Sequence, residues 1–455
     1  MRVPSIENQL GIQTFFTKTQ GTGGVIRQTF EDFIVEEVLI NNSSAHIELE
    51  SEQPSQLPGK GRYLICLLSK RGWDTLLAVR KIAKRLGISE RRVQIAGLKD
   101  KRAITNQHIS IENVRLERLN RIQLDGINLY PLRYSPSMVF PHMSLGNKFK
   151  LTIRNINHTI TIIRERTSNI AKKLQSLGGI PNFFGHQRFG TRRPITHLVG
   201  KALAQNNLEK AARIFLAESS PHEHPVSREA RLRVMETGDY KEALSNFPRK
   251  LLYERLMMSH LVKHPKDFVG AFRRLPKRLR SLFLQAYQSY LFNLFLSQRI
   301  LQEIPLNEPQ LGDYVVKVDS HGLPTNSYTR TTSDKLKDLQ RAVKKGEMYV
   351  AIPLIGFKQT HSQGMQGEIE QTILEKEGAS QNNFYVTSMP EMSAAGELRA
   401  AIARMTDFNL EKPEEDMLNP GKRKLGISFT LYRGCYATVV LREFMKPQNL
   451  LKAGF

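Results

Sequence analysis

Residues 62–68, RYLICLL, form a continuous apolar run of strand length and predict a central strand. A second short strand is expected at VQIAG, 93–97, and a third at NQHISI, 106–111. Between the first two, DTLLAVRKIAKRLG places Leu76, Val79, Ala83 and Leu86 at helical spacing, with Asp74 as N-cap and Gly87 as the stop. GNKFKLTIRN, 146–155, alternates strictly: Phe149, Leu151 and Ile153 face one way, and Lys148, Lys150, Thr152 and Arg154 the other. Beyond it, IIRERTSNIAKKLQSLGGIPNFFG reads as a helix ended by a glycine pair and a proline, followed by a helical region to about residue 301. Its strongest helix is SLFLQAYQSYLFNLFLSQRIL, capped by Ser281, with a core stripe of Phe283, Tyr287, Tyr290 and Leu294.

Length and charge add what the pattern lacks. At 455 residues the chain exceeds what one hydrophobic core supports, so two or three domains are expected. Its 67 Lys and Arg against 43 Asp and Glu give a formal charge of +24 and a pI near 10.0, a field that attracts polyanions. Nucleic acid is the leading partner class and an anionic membrane surface the other. No stretch reaches the roughly 18 apolar residues of a span, and MRVPSIENQLGIQTFF lacks the apolar core of a signal peptide, so a cytoplasmic location is expected. Cys66 and Cys435 stand apart, outside any CxxC pair, which argues against a disulfide framework or a cysteine zinc site.

The charge is concentrated where the chemistry is most suggestive. From Lys70 to Arg102 there are eleven basic residues and three acids. Arg80 and Lys84, like Lys81 and Arg85, are four apart and make a basic stripe on the predicted helix, either a solvated face or one that tracks phosphates. Just beyond, AGLKDKRAITNQ, 96–107, sets Asp100 among Lys99, Lys101 and Arg102 in the connection between two strands. By itself Asp100 reads either as a turn residue balancing local charge or as an ionised catalytic carboxylate in a site for a polyanion.

Six segments in order resemble the TruD class of tRNA pseudouridine synthases. They are QTFEDFIVEEV (28–38), GLKDKRAITNQ, LGNKFKLTIRN, PNFFGHQRFG (181–190), QAYQSYLFN (285–293) and GCYATVVLREFM (434–445). The resemblance implies an α+β protein whose catalytic domain has the pseudouridine synthase fold, a mainly antiparallel mixed sheet flanked by helices, interrupted by an inserted α/β TruD domain. The expected division is 1–180 and 392–455 for the catalytic domain and 181–391 for the insert. It further implies isomerisation of uridine to pseudouridine in tRNA, at position 13, without cofactor or metal, and with Asp100 as the catalytic nucleophile. The residues alone leave open whether that carboxylate attacks the nucleoside or removes a sugar proton.

Carried over position by position, Phe33, Asn147, Phe149 and Tyr436 would line the uridine pocket, Phe149 stacking on the base and Asn147 bonding its polar edge. Arg27 joins them at a position where the family usually has lysine, and Phe30 replaces the family's proline. Lys99, Lys101 and Arg102 would hold the RNA backbone, with Arg80 and Lys84 on the basic helix and Arg188 in GHQRFGTRR, 185–193. RRLPKRLR, 273–280, is a second basic loop expected to bind tRNA, and KRK, 422–424, reads as solvated. The HEH of 222–224 lacks a further metal ligand at useful spacing, and TQGTGG, 19–24, lacks the Lys-Ser or Lys-Thr of a P-loop. A covalent nucleotidyl transferase would need lysine followed by x-Asp-Gly, a spacing that Lys99 and Asp100 do not have. The expected partner is tRNA, with no membrane, no protein partner and a monomeric state. The competing class is a non-catalytic RNA-binding or chaperone protein using the same basic surface.

Overall fold

Every alternating or apolar run predicted between residues 62 and 155 is a strand of one sheet. In the structure, a computed structural model that describes residues 2–47, 56–119 and 121–455, these are β2 (Tyr63–Arg71), β3 (Val93–Ile95), β4 (Ile104–Glu112) and β6 (Ser144–Ile156), joined by β1 (Phe33–Leu39) and β5 (Ile127–Ser135). The order runs β5, β2, β4, β1, β6, then the late strands Arg423–Tyr432 and Ile402–Leu410. β1 and β4 run parallel, and the other neighbours in that series are antiparallel. The mixed α+β class is therefore as expected, and both ends of the sequence contribute to one sheet.

Register explains how side chains meet. On β6, Phe149, Leu151 and Ile153 are buried while Lys148 and Lys150 are exposed, as the alternation requires. Phe149 lies opposite Val35 of β1 and Phe429 of the late strand, and Asn147 lies opposite Glu37 and Leu431. Gly146 makes this approach possible, because a Cβ there would stand 2.1 Å from the Leu431 carbonyl oxygen.

The helix Thr75–Leu86 begins and ends where predicted. Asp74 accepts hydrogen bonds from the Leu76 and Leu77 amides, and Gly87 takes the left-handed conformation at φ 58°. Its seam differs from the expected one by part of a turn. Leu76 is 56% exposed, and the buried stripe is Ala78, Val79, Ile82, Ala83 and Leu86, packed with Leu64, Cys66, Leu68, Ile109 and Ile111. Leu77, also in the first turn, is 47% exposed. Burying Val79, Ile82 and Leu86 of this seam contributes roughly 1.5–3 kcal/mol each.

Two compact units partition the chain. One comprises Thr19–Ile180, Ala403–Pro447 and Lys452–Phe455, and contains the elements just described; the other comprises Met1–Lys18, Pro181–Ile402 and Gln448–Leu451. The second holds a four-stranded antiparallel sheet, in the order Glu397–Ala400, Met348–Leu354, Tyr314–Val318 and Pro324–Arg330, and a set of helices. Its longest helix, Lys277–Leu301, starts after Pro276, so Ser281 lies inside the first turns rather than capping them. Of the expected stripe, Phe283, Tyr287 and Leu294 are core, and Tyr290 is half-buried. The basic run 273–280 is not a loop: Arg273 ends the helix Phe268–Arg273, and Lys277 to Arg280 open the long one. The proline that suggested a loop instead starts a helix. Among the described residues, no helix is long and apolar enough to cross a membrane.

Candidate active site

Residues 96–103 connect β3 to β4 without regular structure, and they are tied down by side chains from three elements. Lys70, the penultimate residue of β2, continues the helix-facing row of Leu64, Cys66 and Leu68 and is wholly buried. Its Nζ donates to the carbonyls of Asp100 (2.8 Å), Trp73 (2.9 Å) and Lys99 (3.4 Å). An ammonium has three donors, and three carbonyls take them. Thr75, first residue of the helix, accepts from the Lys99 amide at 3.0 Å, and Gln107 of β4 donates to the Gly97 carbonyl at 3.1 Å. The backbone around Asp100 is thus fixed while its side chain stays 41% exposed.

Arg27 faces that carboxylate. Its Nη2 stands 3.4 Å from Asp100 Oδ1, its guanidinium carbon lies 4.0 Å from the centre of the Phe33 ring, and its Nη1 donates to the Gly454 carbonyl at 3.3 Å. The guanidinium is almost fully buried, and burial pushes its pKa down while Asp100 works the other way. Arg27 itself sits at φ 59°, a conformation uncommon for a residue with a side chain. Of the three cations that flank Asp100 in sequence, Lys101 and Arg102 are exposed, with Arg102 donating to the Arg27 carbonyl at 3.3 Å. Lys99 turns inward instead.

Its Nζ lies 2.9 Å from Glu37 Oε1 and donates to Asn147 Oδ1 at 2.7 Å. Glu37 has no exposed surface, and its other oxygen accepts from the His108 amide at 2.9 Å and meets His108 Nδ1 at 3.3 Å. Burial drives the Glu37 carboxyl up, but the hydrogen bonds of His108 and Lys99 outweigh it and hold the group below the usual carboxylate range. The chain from His108 through Glu37 and Lys99 to Asn147 is therefore a charged, internally paired network under the sheet surface.

The aromatic positions are buried. Phe33 and Phe149 meet edge to face at 6.4 Å, and Phe149 packs on Phe429 at 5.5 Å. Tyr436, half-buried, precedes the helix Ala437–Met445. Arg80 and Lys84 are exposed on the basic helix, and Arg80 pairs with Glu90 at 2.9 Å. Arg188 belongs to the other unit, half-buried and donating to Ser289 at 3.1 Å. Nearby Arg193 is spent on the carbonyls of Ile214, Phe215 and Glu218, which makes that end of the basic run structural.

Sequence reasoning missed Glu37, Lys70, Thr75, His108 and Phe429. A signal existed for some of them. Glu37 interrupts the apolar phase of FIVEEVL, and polar residues fill both phases of TNQHIS, although that strand is buried on both faces.

The chain matches the family model for tRNA pseudouridine synthase D (TruD) over residues 9–444. A Methanosarcina barkeri protein named as a probable tRNA pseudouridine synthase D is 41% identical over 99% of both chains. A Thermococcus gammatolerans protein of the same designation is 39% identical over 94% of this chain and 95% of its own. A crystal structure of the Methanosarcina mazei protein so designated superposes with a TM-score of 0.85 at 40% identity, over 98% of this chain and 99% of that one. With a half-exposed carboxylate set in a locked loop and likeness along the whole length, the chain belongs to the TruD family of tRNA pseudouridine synthases.

Proposed function

We propose that this tRNA pseudouridine synthase isomerises uridine 13 of tRNA, with Asp100 as the catalytic nucleophile. The overall change is redox-neutral: the bond from C1′ to N1 breaks, the uracil turns, a bond from C1′ to C5 forms, and C5 gives up a proton while N1 gains one. In the proposed route Asp100 attacks the ribose as N1 leaves, and the ring then returns to the same sugar through C5. The observation that carries this reading is the pairing of a fixed backbone with an accessible carboxylate, faced by the buried Arg27. Such a group is aimed without being covered.

Phe33, Asn147, Phe149 and Tyr436 line the uridine pocket in this reading, and Arg27 holds the Asp100 carboxylate. Lys101, Arg102, Arg80 and Lys84 meet the RNA backbone, and Arg188 contributes from the insert. Lys99 serves the site from within. In this reading 1–180 and 392–455 form the catalytic domain and 181–391 the insert, while the compact units group Met1–Lys18 and 392–402 with the latter. The enzyme acts as a monomer, in the cytoplasm where tRNA is processed, without a protein partner.

The test maps pseudouridine to single nucleotides in an unmodified tRNA transcript, for the wild type and Asp100→Asn, with tRNA affinity measured alongside. Asparagine keeps the shape and removes the charge, so the variant should bind tRNA within about twofold of wild type and form no pseudouridine. A wild type that binds tRNA yet modifies no uridine would instead make the chain an RNA-binding protein and Asp100 a turn residue. Modification at a position other than 13 would correct the substrate and leave the chemistry standing.

A further inference from the structure

Asn147 has an amide whose two ends differ in what they can offer a base. A carbonyl oxygen accepts and an NH2 donates, and in general either end can be turned outward. Here the choice is made by chemistry. Lys99 Nζ approaches one end at 2.7 Å while facing the Glu37 carboxylate at 2.9 Å. An ammonium only donates, so the end it meets must be the oxygen. Nδ2, on a half-buried side chain, is left with no hydrogen-bond partner among the described residues.

The arrangement is held from behind. Glu37 is pinned opposite Asn147 by the register of β1 and β6, and His108 supplies two contacts to its far oxygen. To turn the amide over, the protein would have to set an NH2 against an ammonium inside a buried network, at the expense of a charge-assisted hydrogen bond.

We propose that Asn147 reads the target base as a fixed donor, its Nδ2–H bonding a carbonyl oxygen of uracil, and that Lys99 is the positioning residue that holds it so. The proposal rests on the reading that Asn147 lines the uridine pocket. Where that oxygen is O4, the same donor faces the 4-amino group of cytosine, and the site refuses cytidine by leaving two donors opposed.

The experiment compares single-turnover isomerisation of tRNA transcripts carrying uridine, 4-thiouridine or 2-thiouridine at the target position only. Sulfur is a poorer acceptor than oxygen. Wild type should be slowed about three- to tenfold by one of the two thio substitutions, which names the oxygen being read. Lys99→Met should be slower on uridine and lose that preference, its ratio falling towards one, because the amide then turns freely. Lys99→Arg, which keeps a donor, should restore the ratio. A merely structural lysine would lower all three rates together and leave the ratio alone.

Lys99→Met also strands the buried Glu37 charge, so the double variant Glu37→Met with Lys99→Met, which removes the pair entirely, supplies the same comparison if the single variant does not fold. Equal rates on all three substrates in the wild type overturn the proposal, as does an unchanged ratio in the folded Lys99 variants. A wild type that isomerises no uridine at all brings down the enzymatic reading and this inference with it, an outcome distinct from both.

Discussion

Lys70 is the residue on which the geometry of Asp100 depends most directly, and its environment predicts a pH response. Burial lowers its pKa to about 8; Asp100 and Asp74 pull it upward and Lys99 pulls it down. In the unfolded chain a lysine keeps its proton to about 10.4. Between pH 8 and 10 the unfolded state therefore binds more protons than the folded one, and stability rises with pH across that window. The Asp100 loop responds in the opposite sense. A neutral amine has two hydrogens for the three carbonyls of Trp73, Lys99 and Asp100, so the loop loosens as the proton leaves. The isomerisation rate should fall as pH rises through about 8 while the thermal midpoint holds or climbs. Lys70→Met should run at a lower rate with no step near that pH. A step that persists in the variant belongs to another group.

At the scale of elements, the helix Thr75–Leu86 is more than a carrier of positive charge. Its first residue, Thr75, grips Lys99, and Lys99 precedes Asp100, so the helix start and the Asp100 loop share a hydrogen bond. Asp74 fixes that start by accepting from the Leu76 and Leu77 amides at 2.9 and 3.1 Å. Asp74→Ala should cost about 1 kcal/mol, read as a fall of roughly 2–4 °C in the melting transition of its unit. The frayed first turn should also lower the isomerisation rate more than tRNA affinity, since the cap lies behind the site rather than on the RNA. Equal losses in both would mean that the cap serves the binding face instead. Lys277–Leu301 teaches the complementary lesson about boundaries. Pro276 reads locally as a breaker, but at the residue before a first turn it removes no helical hydrogen bond, and the helix runs on past Ser281.

For the whole molecule, a formal charge of +24 implies that tRNA binding is dominated by phosphate contacts and weakens steeply with salt. A plot of log affinity against log salt should be linear. Replacing Arg80 and Lys84 together by glutamine should reduce its slope by roughly 1–2 without abolishing isomerisation at low salt. An unchanged slope would show that the helix face is simply solvated. How much of this could be read in advance depended on the range of the interactions. Strands, the capped helix, the alternating β6 and the polyanion-seeking charge are products of local periodicity and composition, and the sequence determined them by itself. Six ordered segments, rather than its neighbours, also made Asp100 the nucleophile proposed here. Only the tertiary structure decided which cation meets the carboxylate, because Lys99 is adjacent in sequence but turns to Glu37 and Asn147, while Arg27 arrives from 73 residues away. Likewise it alone assigned Lys70 to the loop and turned the Asn147 amide. Those choices come from burial: a charge taken out of water must find partners, and strand pairing across the sheet determines which ones are within reach.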